Sequence, residues 1–353
     1  MPSNLRNNHQ HKKALLLGLG ILLCLCFLFS LSIGSMKIPV IEVFSTINPF
    51  TTNTGQADLI IEKIRLPRTL LALLIGATLA SCGTITQGLF RNPLADPSLI
   101  GVSAGASIGA TLMIVLGTQW FVWGDISQTN IGISIVSVGA FISSLITVIL
   151  VYRLSTSSNG TSVATMLLAG IAITALAGGF TSLLEYISDS NALRRISLWQ
   201  MGGLDGANYS QVILMSCVLL ALLILFNKQS AALNALLLGE SEARHLGIAV
   251  QKTKITLIIL VAAGVGVSVS IAGSIGFIGL VVPHIMRLTI GPNHRFLIPA
   301  TFIAGAILLL LADTLARTII SPTELPVGIV TALIGAPFFI SLLKSRRQYN
   351  GMQ

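Results

Sequence analysis

The feature that most constrains this chain is the recurrence of long apolar windows that carry almost no charge. They lie at residues 14–35, 66–88, 98–117, 131–151, 163–184, 209–227, 255–272, 275–287, 297–316 and 325–343. About 20 apolar residues in a helix span a hydrocarbon core about 30 Å thick. Charged residues make up 9% of the chain, against about 25% in soluble domains. We therefore predict an all-α integral membrane protein with about ten transmembrane helices, whose short eighth window is tilted, broken or shielded by protein.

The Lys and Arg distribution predicts how these helices are oriented. With the N-terminus inside, 14 of the 21 Lys and Arg residues fall on the cytoplasmic side, which favours cytoplasmic termini and an even number of spans. The net charge of +9 then lies mostly on the inner face, where it meets anionic lipids. It therefore does not indicate nucleic-acid binding. We expect one membrane domain from 14 to 343, cytoplasmic tails at 1–13 and 344–353, and a charged cytoplasmic segment at about 231–247. The first window, although Lys12 and Lys13 precede it, is too long for a signal peptide and should be retained.

Small residues at helical spacing predict close packing between spans. Gly101, Gly105 and Gly109 form one such series, and Gly76 with Ala80 forms another. In lipid, helices associate where small residues let their backbones approach. We therefore expect a tightly packed bundle. The four cysteines, all in apolar windows, are expected to pack as small apolar side chains rather than to form disulfides or metal sites.

Two arginines flank the motif "RLPR" at the start of the second window. Pro67 suits a first helical turn, which would place Arg65 and Arg68 at the outer membrane surface. Positive charge at a helix N-terminus opposes the helix dipole, so helix stability does not explain them. They should bind lipid phosphate or an acidic partner from outside.

Few ionisable groups lie elsewhere within or beside the windows. Asp313 and Arg317 are four residues apart, so they can pair on one helical face. Glu185 falls at the end of a window. His284 lacks a second ligand at metal-binding spacing, so we predict no metal site. We also find no converging set of side chains that would act catalytically.

The segment "LNALLLGESEARHLGIAVQ" (233–251) gathers charge in an apolar chain. Gly239 and Gly247 each follow a short helical pattern, where a C-terminal cap favours glycine. Glu240 begins the second pattern and Arg244 lies near its end, which complements the helix dipole. Helices this short are marginal alone, so the segment either docks on a partner or is an ordinary solvated connector. The chain contains no Gly-Lys dipeptide and hence no P-loop, so any ATP must be hydrolysed by another subunit.

Four long motifs, in order, resemble one transporter family. They are "RLPRTLLALLIGATLASCGTITQGLFRNPLADPSLIGVSAGASIGA" (65–110), "LLLGESEARHLG" (236–247), "GSIGFIGLVVPHIMRL" (273–288) and "ELPVGIVTALIGAPFFISLL" (324–343). The chain is similar to the FecCD permeases of bacterial importers for iron-siderophores, haem and vitamin B12. The resemblance implies the type II ABC importer permease fold in the bacterial inner membrane. It also implies a homodimer with a second permease copy or a pair of homologous permease subunits. Two cytoplasmic ATPases that bind ATP and Mg²⁺ and a periplasmic substrate-binding protein complete the implied complex, with no cofactor on this chain.

The resemblance also assigns roles to residues. Three arginines would bind glutamates of the binding protein: Arg65, Arg68 and Arg317. The ATPase contact would comprise Leu236, Leu237, Leu238, Gly239, Glu240, Ser241, Glu242, Ala243, Arg244, His245, Leu246 and Gly247. The pathway would be lined by the fifth window with the short helix that follows it and by the tenth window, and its lining residues would include Thr165, Gly170 and Thr174.

The substrate is left open by the sequence. The outer loop 185–208, with Arg194 and Arg195 at the mouth, fits haem, a ferric siderophore or cobalamin. We expect an iron chelate, either a ferric siderophore or haem, because iron importers are the more numerous members of the family, and vitamin B12 is the alternative. A secondary transporter or channel is the remaining class. This class is disfavoured because it predicts ionisable groups at the bilayer midplane, whereas Glu185, Asp313 and Arg317 fall toward the ends of their windows.

Overall fold

The computed structural model describes residues 2–34, 36, 38–47, 55–119, 133–157 and 160–350. The first helices are α1 (Pro2–Ser32), α2 (Val40–Ile47), α3 (Gln56–Ile60), α4 (Leu66–Leu89), α5 (Val102–Gln119), α6 (Ile135–Ser155) and α7 (Val163–Tyr186). They are followed by α8 (Ser190–Met201), α9 (Tyr209–Lys228), α10 (Ser230–Leu236), α11 (Glu240–His245), α12 (Val250–Ala272), α13 (Ile278–Ile290), α14 (His294–Ala316) and α15 (Val327–Asn350). A π-helical turn (Ile61–Arg65) precedes α4, a 3-10 turn (Pro97–Ile100) precedes α5, and strands β1 (Thr156–Ser157) and β2 (Gly160–Thr161) form an antiparallel hairpin before α7.

Each of the ten apolar windows coincides with a helix, namely α1, α4–α7, α9 and α12–α15. In the described part of the chain, seven helical stretches are long and apolar enough to cross a membrane, and three apolar stretches are shorter. The eighth window forms the 13-residue α13, which contains Pro283 and follows Phe277 at a φ of 68°. Most of its side chains are buried, so protein shields this short helix as the window length predicted.

The centre of the bundle is the pair α4 and α14. Almost every side chain of α4 is buried, and α4 contacts α1, α9, α12, α13 and α14. A Cβ added at Gly76 would lie 2.3 Å from the carbonyl oxygen of Gly305, and one at Gly305 would lie 2.4 Å from the Cβ of Ala80. The predicted small-residue contact of α4 is therefore with α14, at backbone distance.

A second close pair is formed by α5 and α6. A Cβ at Gly109 would lie 2.2 Å from the carbonyl oxygen of Gly139, and one at Gly105 would lie 2.3 Å from the hydroxyl of Thr147. Gly101, the third residue of the predicted series, lies outside α5. It ends the preceding 3-10 turn at a φ of 82°, a conformation that favours glycine.

One predicted boundary was wrong. Helical structure continues from Gln56 through the π turn into α4, so Arg65 and Arg68 are not at a helix N-terminus. The π turn accommodates Pro67, which has no N–H to donate to the preceding turn. The outer loop 185–208 contains the helix α8, capped by Asp189. The tails at 1–13 and 344–353 are helical extensions of α1 and α15 in their described residues.

Candidate functional site

A buried ion cluster joins α4 to α14 at one end of the bundle, which we call the Arg68 end. Arg68 Nε lies 2.9 Å from Asp313 Oδ1, and Arg68 Nη1 lies 2.5 Å from Glu324 Oε2 and 3.4 Å from Asp205 Oδ1. Arg317 Nε lies 3.0 Å from Asp313 Oδ2, which confirms the predicted i,i+4 pair. Asp313, at 0% exposure, is therefore shared by two guanidinium groups, and loss of one partner would leave a buried charge uncompensated.

The other two predicted arginines also bind groups within the chain. Arg65 donates to the carbonyls of Leu31, at 2.7 Å, and Ser32, at 3.0 Å, so it caps the C-terminal end of α1, where a cation is favourable. Arg317 Nη2 donates to the hydroxyl of Ser30 at 2.8 Å. Burial lowers the pKa of Arg317 from its ordinary value, while the Asp313 carboxylate acts in the opposite direction.

These contacts correct the expectation of guanidinium groups presented at the membrane surface. Arg65, Arg68 and Arg317 are only 4 to 5% exposed. The groups exposed beside Arg68 are carboxylates, because the side chain of Asp205 is 73% exposed and that of Glu324 is 37% exposed. Contact between the arginines and a binding protein stays a prediction, and an acidic partner would meet these carboxylates first.

A cavity of about 570 Å³ lies between the start of α5, α7 and the end of α8, and it is open on one side. Glu185 and Gln200 meet on its wall, where Gln200 Nε2 donates to Glu185 Oε1 at 2.8 Å. Trp199 adds an aromatic side chain. The cavity's hydroxyl groups come from Ser98, Ser103, Ser107, Thr174, Thr181, Ser182 and Ser274. A second cavity of about 310 Å³ shares three of these serines. The wall is amphipathic, with many weak hydrogen-bonding groups.

Two of the three predicted pathway residues line this cavity. Gly170 and Thr174 are on its wall, whereas Thr165 is on an exposed turn of α7 outside it. A Cβ at Gly170 would lie 1.9 Å from the carbonyl oxygen of Leu99. This close backbone contact lies in the cavity wall, and α7 lines the wall from there to Glu185. The lined stretch is roughly 22 Å long at the helical rise per residue.

The predicted short helices form at the opposite end, which we call the α11 end. Gly239 separates α10 from α11 at a φ of 122° and a ψ of 157°, a backbone region that is essentially confined to glycine. Leu236 and Ala243 are buried with Ala235 and Val250. Leu237, Gly239 and Glu240 are half-buried. The exposed members are Leu238, Ser241, Glu242, Arg244, His245, Leu246 and Gly247.

One partly buried polar contact ties α10 to the start of α14. Asn234 Oδ1 accepts from the backbone N–H of His294 at 2.9 Å and lies 2.9 Å from His294 Nδ1. Asn234 Nδ2 donates to Asn293 Oδ1 at 3.0 Å. His294 is 0% exposed, and a Cβ at Gly88 would come within 2.6 Å of its Nε2. The short helices are thereby fixed to the central α4–α14 pair.

Several of these residues were missed from the sequence. Glu324 lies in a quoted motif, but the sequence showed no partner for it because Arg68 is 256 positions away. Asn234 is uncharged, so it does not stand out as a functional candidate in the sequence. Lys254 stands just before an apolar run, a position that indicates a surface lysine, yet it is buried. Among the described residues, no group of three or more His, Cys, Asp or Glu could hold a metal ion, and the four cysteines, all within the described ranges, are free.

Comparison with known proteins gives full-length matches. The FecCD transport family model matches residues 22–345. The chain is 44% identical to the hemin transport system permease protein HmuU of Yersinia pestis, over 91% of this chain and 94% of that protein. It is 44% identical to a vitamin B12 import system permease protein BtuC of Salmonella typhi, over 83% of this chain and 86% of that protein.

Solved structures agree with these matches. An inward-facing metal-chelate-type ABC transporter superposes with a TM-score of 0.81 at 33% identity, over 94% of this chain and 99% of that chain. PsaBC from Streptococcus pneumoniae shares the fold, with a TM-score of 0.54 at 16% identity, over 80% of this chain and 92% of that chain. With apolar helices that suit a multi-pass membrane protein and with these full-length matches, the chain belongs to the FecCD transport family, the permease subunits of ABC transporters.

Proposed function

We propose that this permease imports haem or another ferric chelate from the periplasm to the cytoplasm. The observation that carries the proposal is the 44% identity to a hemin permease over nearly the whole of both chains. The geometry supports it, because an amphipathic cavity of about 570 Å³ could pass a bulky chelate by weak, exchangeable contacts. Binding sites of a few hundred to 1,000 Å³ suit ligands of that size.

The α11 end is proposed to face the cytoplasm, together with both termini. The Lys and Arg excess on that side supports this orientation. Two ATPase subunits, which would bind ATP and Mg²⁺, dock there, and this chain binds no cofactor. Leu238 and Leu246, which are 67% and 63% exposed, stand among the polar side chains of α11. In each permease copy, this apolar pair would enter a groove on the ATPase subunit that docks there.

The Arg68 end is proposed to receive the substrate-binding protein. Because Arg68 already binds Glu324, an incoming glutamate would have to replace that carboxylate on the guanidinium. Glu324→Gln should therefore strengthen binding of the substrate-binding protein, since Arg68 would be released for its partner. Asp189→Asn at the start of α8 serves as a control for the loss of one negative charge at the same end.

A second copy of the chain is proposed to complete the pathway. The cavity is open on one side, and α7, which forms much of its wall, exposes Leu168, Leu176 and Phe180. A second α7 related by two-fold symmetry would cover this side. The cavity would then lie on the dimer axis.

Vitamin B12 is the second candidate substrate, because the identity to vitamin B12 permeases is also 44%, although over 83% of the chain. The test is uptake into liposomes that hold the permease, its ATPase and its binding protein. We expect ATP-dependent accumulation of haemin or a ferric siderophore and none of cyanocobalamin. Accumulation of cyanocobalamin alone would replace the proposed substrate, and uptake that persists without the ATPase would remove the ATP-driven mechanism.

A further inference from the structure

A buried lysine connects α11 to the hairpin that precedes α7. Lys254, in the first turns of α12, is 2% exposed. Its Nζ lies 2.6 Å from Glu240 Oε1 and donates to the carbonyl oxygen of Thr161 at 3.1 Å. A buried ammonium group is costly unless it is paired and hydrogen-bonded. The lysine therefore keeps Glu240 of α11 and Thr161 of β2 together.

A neighbouring side chain holds the same strand. Gln251, one turn before Lys254, accepts from the backbone N–H of Thr161 at 3.2 Å through its Oε1. Gly160 has a φ of 106°, and a Cβ there would lie 2.1 Å from Gln251 Nε2. The first turn of α12 thus binds both the N–H and the C=O of one hairpin residue. The next residue, Ser162, is the N-cap of α7.

The hairpin leads directly into the cavity wall. From Val163, the first residue of α7, to Gly170, where α7 touches the carbonyl of Leu99, the helix advances roughly 10 Å at the helical rise per residue. A short helical segment moves as a unit, so a displaced hairpin would shift Gly170 against Leu99. Both residues line the cavity.

We propose that Lys254 is the positioning residue through which movement of α11 reaches α7 and changes the Gly170–Leu99 contact in the cavity wall. The inference rests on the proposed function, in which α11 contacts the ATPase. When the ATPase displaces α11, Glu240 moves with it, and Lys254 carries the displacement to Thr161 and the first turns of α7. Glu240, which the family resemblance assigned to the ATPase contact, would then act from inside the permease.

The test measures whether nucleotide changes the environment of α7. Ala164, exposed in the first turn of α7, is replaced by cysteine in a chain whose exposed Cys24 and Cys217 are replaced by alanine. The complete transporter is treated with a polar maleimide, with and without ATP and Mg²⁺. We expect ATP to change the labelling rate about fivefold or more, the range of typical coupling between sites. Lys254→Met should abolish this change while the ATPase still co-purifies.

Three further variants separate positioning from mere stability. Lys252→Met removes an exposed lysine of the same helix and should keep the full nucleotide response. Lys254→Arg should also keep it, because a guanidinium can donate to the Glu240 carboxylate and to the Thr161 carbonyl together. The exchange of Glu240→Lys with Lys254→Glu restores an ion pair, but a carboxylate at 254 cannot donate to Thr161. The ion pair should therefore restore part of the thermal stability that Lys254→Met loses, without the nucleotide response.

The outcomes distinguish this inference from the proposed function. If Lys254→Met keeps both the ATPase and the nucleotide response, the positioning role is wrong, whatever the docking site. If Leu246→Asp leaves ATPase co-purification intact, α11 is not the docking site and the proposed function fails at that point. If Lys254→Met does not fold, Glu240→Gln is used instead, because it weakens the same Lys254–Glu240 ion pair at its partly exposed glutamate. A full response in that variant overturns the inference as well.

Discussion

The two ends of the bundle use their charged residues in opposite ways. At the Arg68 end, three arginines are 4 to 5% exposed and their guanidinium groups bind acceptors within the subunit. At the α11 end, Glu242, Arg244 and His245 are exposed, and Arg244 has only a 3.9 Å contact with Glu240. Charge density alone therefore does not identify a docking surface, because the charged groups at one end hold the fold together, whereas those at the other end are exposed.

The ends are joined by one element. Helix α14 begins at the Asn234–His294 contact and ends at the Asp313–Arg317 pair. Its close packing on α4 leaves no room between the two backbones at Gly76 and Gly305. A displacement at one end would therefore reach the other through a stiff pair of helices. Changes along this pair should lower stability, and changes on the exposed face of α11 should not.

The largest effect should come from Asp313→Asn. Two buried guanidinium groups, those of Arg68 and Arg317, would lose their shared negative charge. Removal of one partner from a buried ion pair costs about 3–5 kcal/mol. We expect that loss in the free energy of unfolding, measured by detergent titration in mixed micelles. Asp205→Asn is the control, because its exposed carboxylate lies 3.4 Å from the same arginine and should contribute about 0–1 kcal/mol. Equal losses of unfolding free energy in the two variants would contradict the distinction between the buried and the exposed carboxylate.

The next effect should come from Gly76→Ala. The added methyl group would lie 2.3 Å from the carbonyl oxygen of Gly305, so α4 and α14 would have to separate. Overpacking of this kind costs about 1–3 kcal/mol, and we expect the upper part of that range because the obstacle is backbone. The same unfolding measurement applies. Gly18→Ala in α1, where nothing lies within 4 Å of the added Cβ, should not lower stability, because alanine is the better helix former by about 0.5–1 kcal/mol.

Predictions from the sequence were most accurate where they depended on local pattern. Ten apolar windows gave ten helices because hydrocarbon thickness fixes span length. The helices α10 and α11 followed from two glycines and the order of four charged residues. Gly76 and Gly105 were identified as packing positions because small residues at helical spacing let backbones approach. Which helix each would contact was not predictable, because α14 lies more than 200 residues after α4 in the chain.

Sequence reasoning was weakest for the charged residues of the site. Arg68 was predicted to bind lipid phosphate or an outside partner at the membrane surface, whereas Asp313 and Glu324 of the same chain bind it from distant elements. The pair Asp313–Arg317 was visible because four residues separate them. Lys254 precedes an apolar span, where a lysine is normally at the interface. Its burial depends on Glu240 of α11 and on Thr161 of β2, which lies 93 positions earlier in the chain.

A smaller loss of stability is expected for Asn234→Ala. The backbone N–H of His294 and its Nδ1 would lose their shared acceptor. An unsatisfied buried polar group costs about 1–3 kcal/mol, and the lower part applies because the partly exposed α10 admits water. Asn227→Ala in α9, whose amide bonds only the carbonyl of Leu223 in its own helix, is the matched control. An unfolding free energy no lower than that of this control would show that the contact does not hold α10.

The smallest effect on stability, and the largest on assembly, should come from Leu246→Asp. Leu246 is 63% exposed, so the permease should lose about 0.5 kcal/mol or less. Replacing a leucine that enters a groove on the ATPase with a charged residue should cost about 2 kcal/mol of binding free energy, roughly 30-fold in Kd. The measurement is ATPase affinity for the purified permease in detergent. Leu288→Asp is the control, because Leu288 is 74% exposed on α13, outside the docking segment. If both variants weaken ATPase binding equally, the exposed face of α11 is not the specific contact. The two ends of the bundle would then differ only in how deeply their charged side chains are buried.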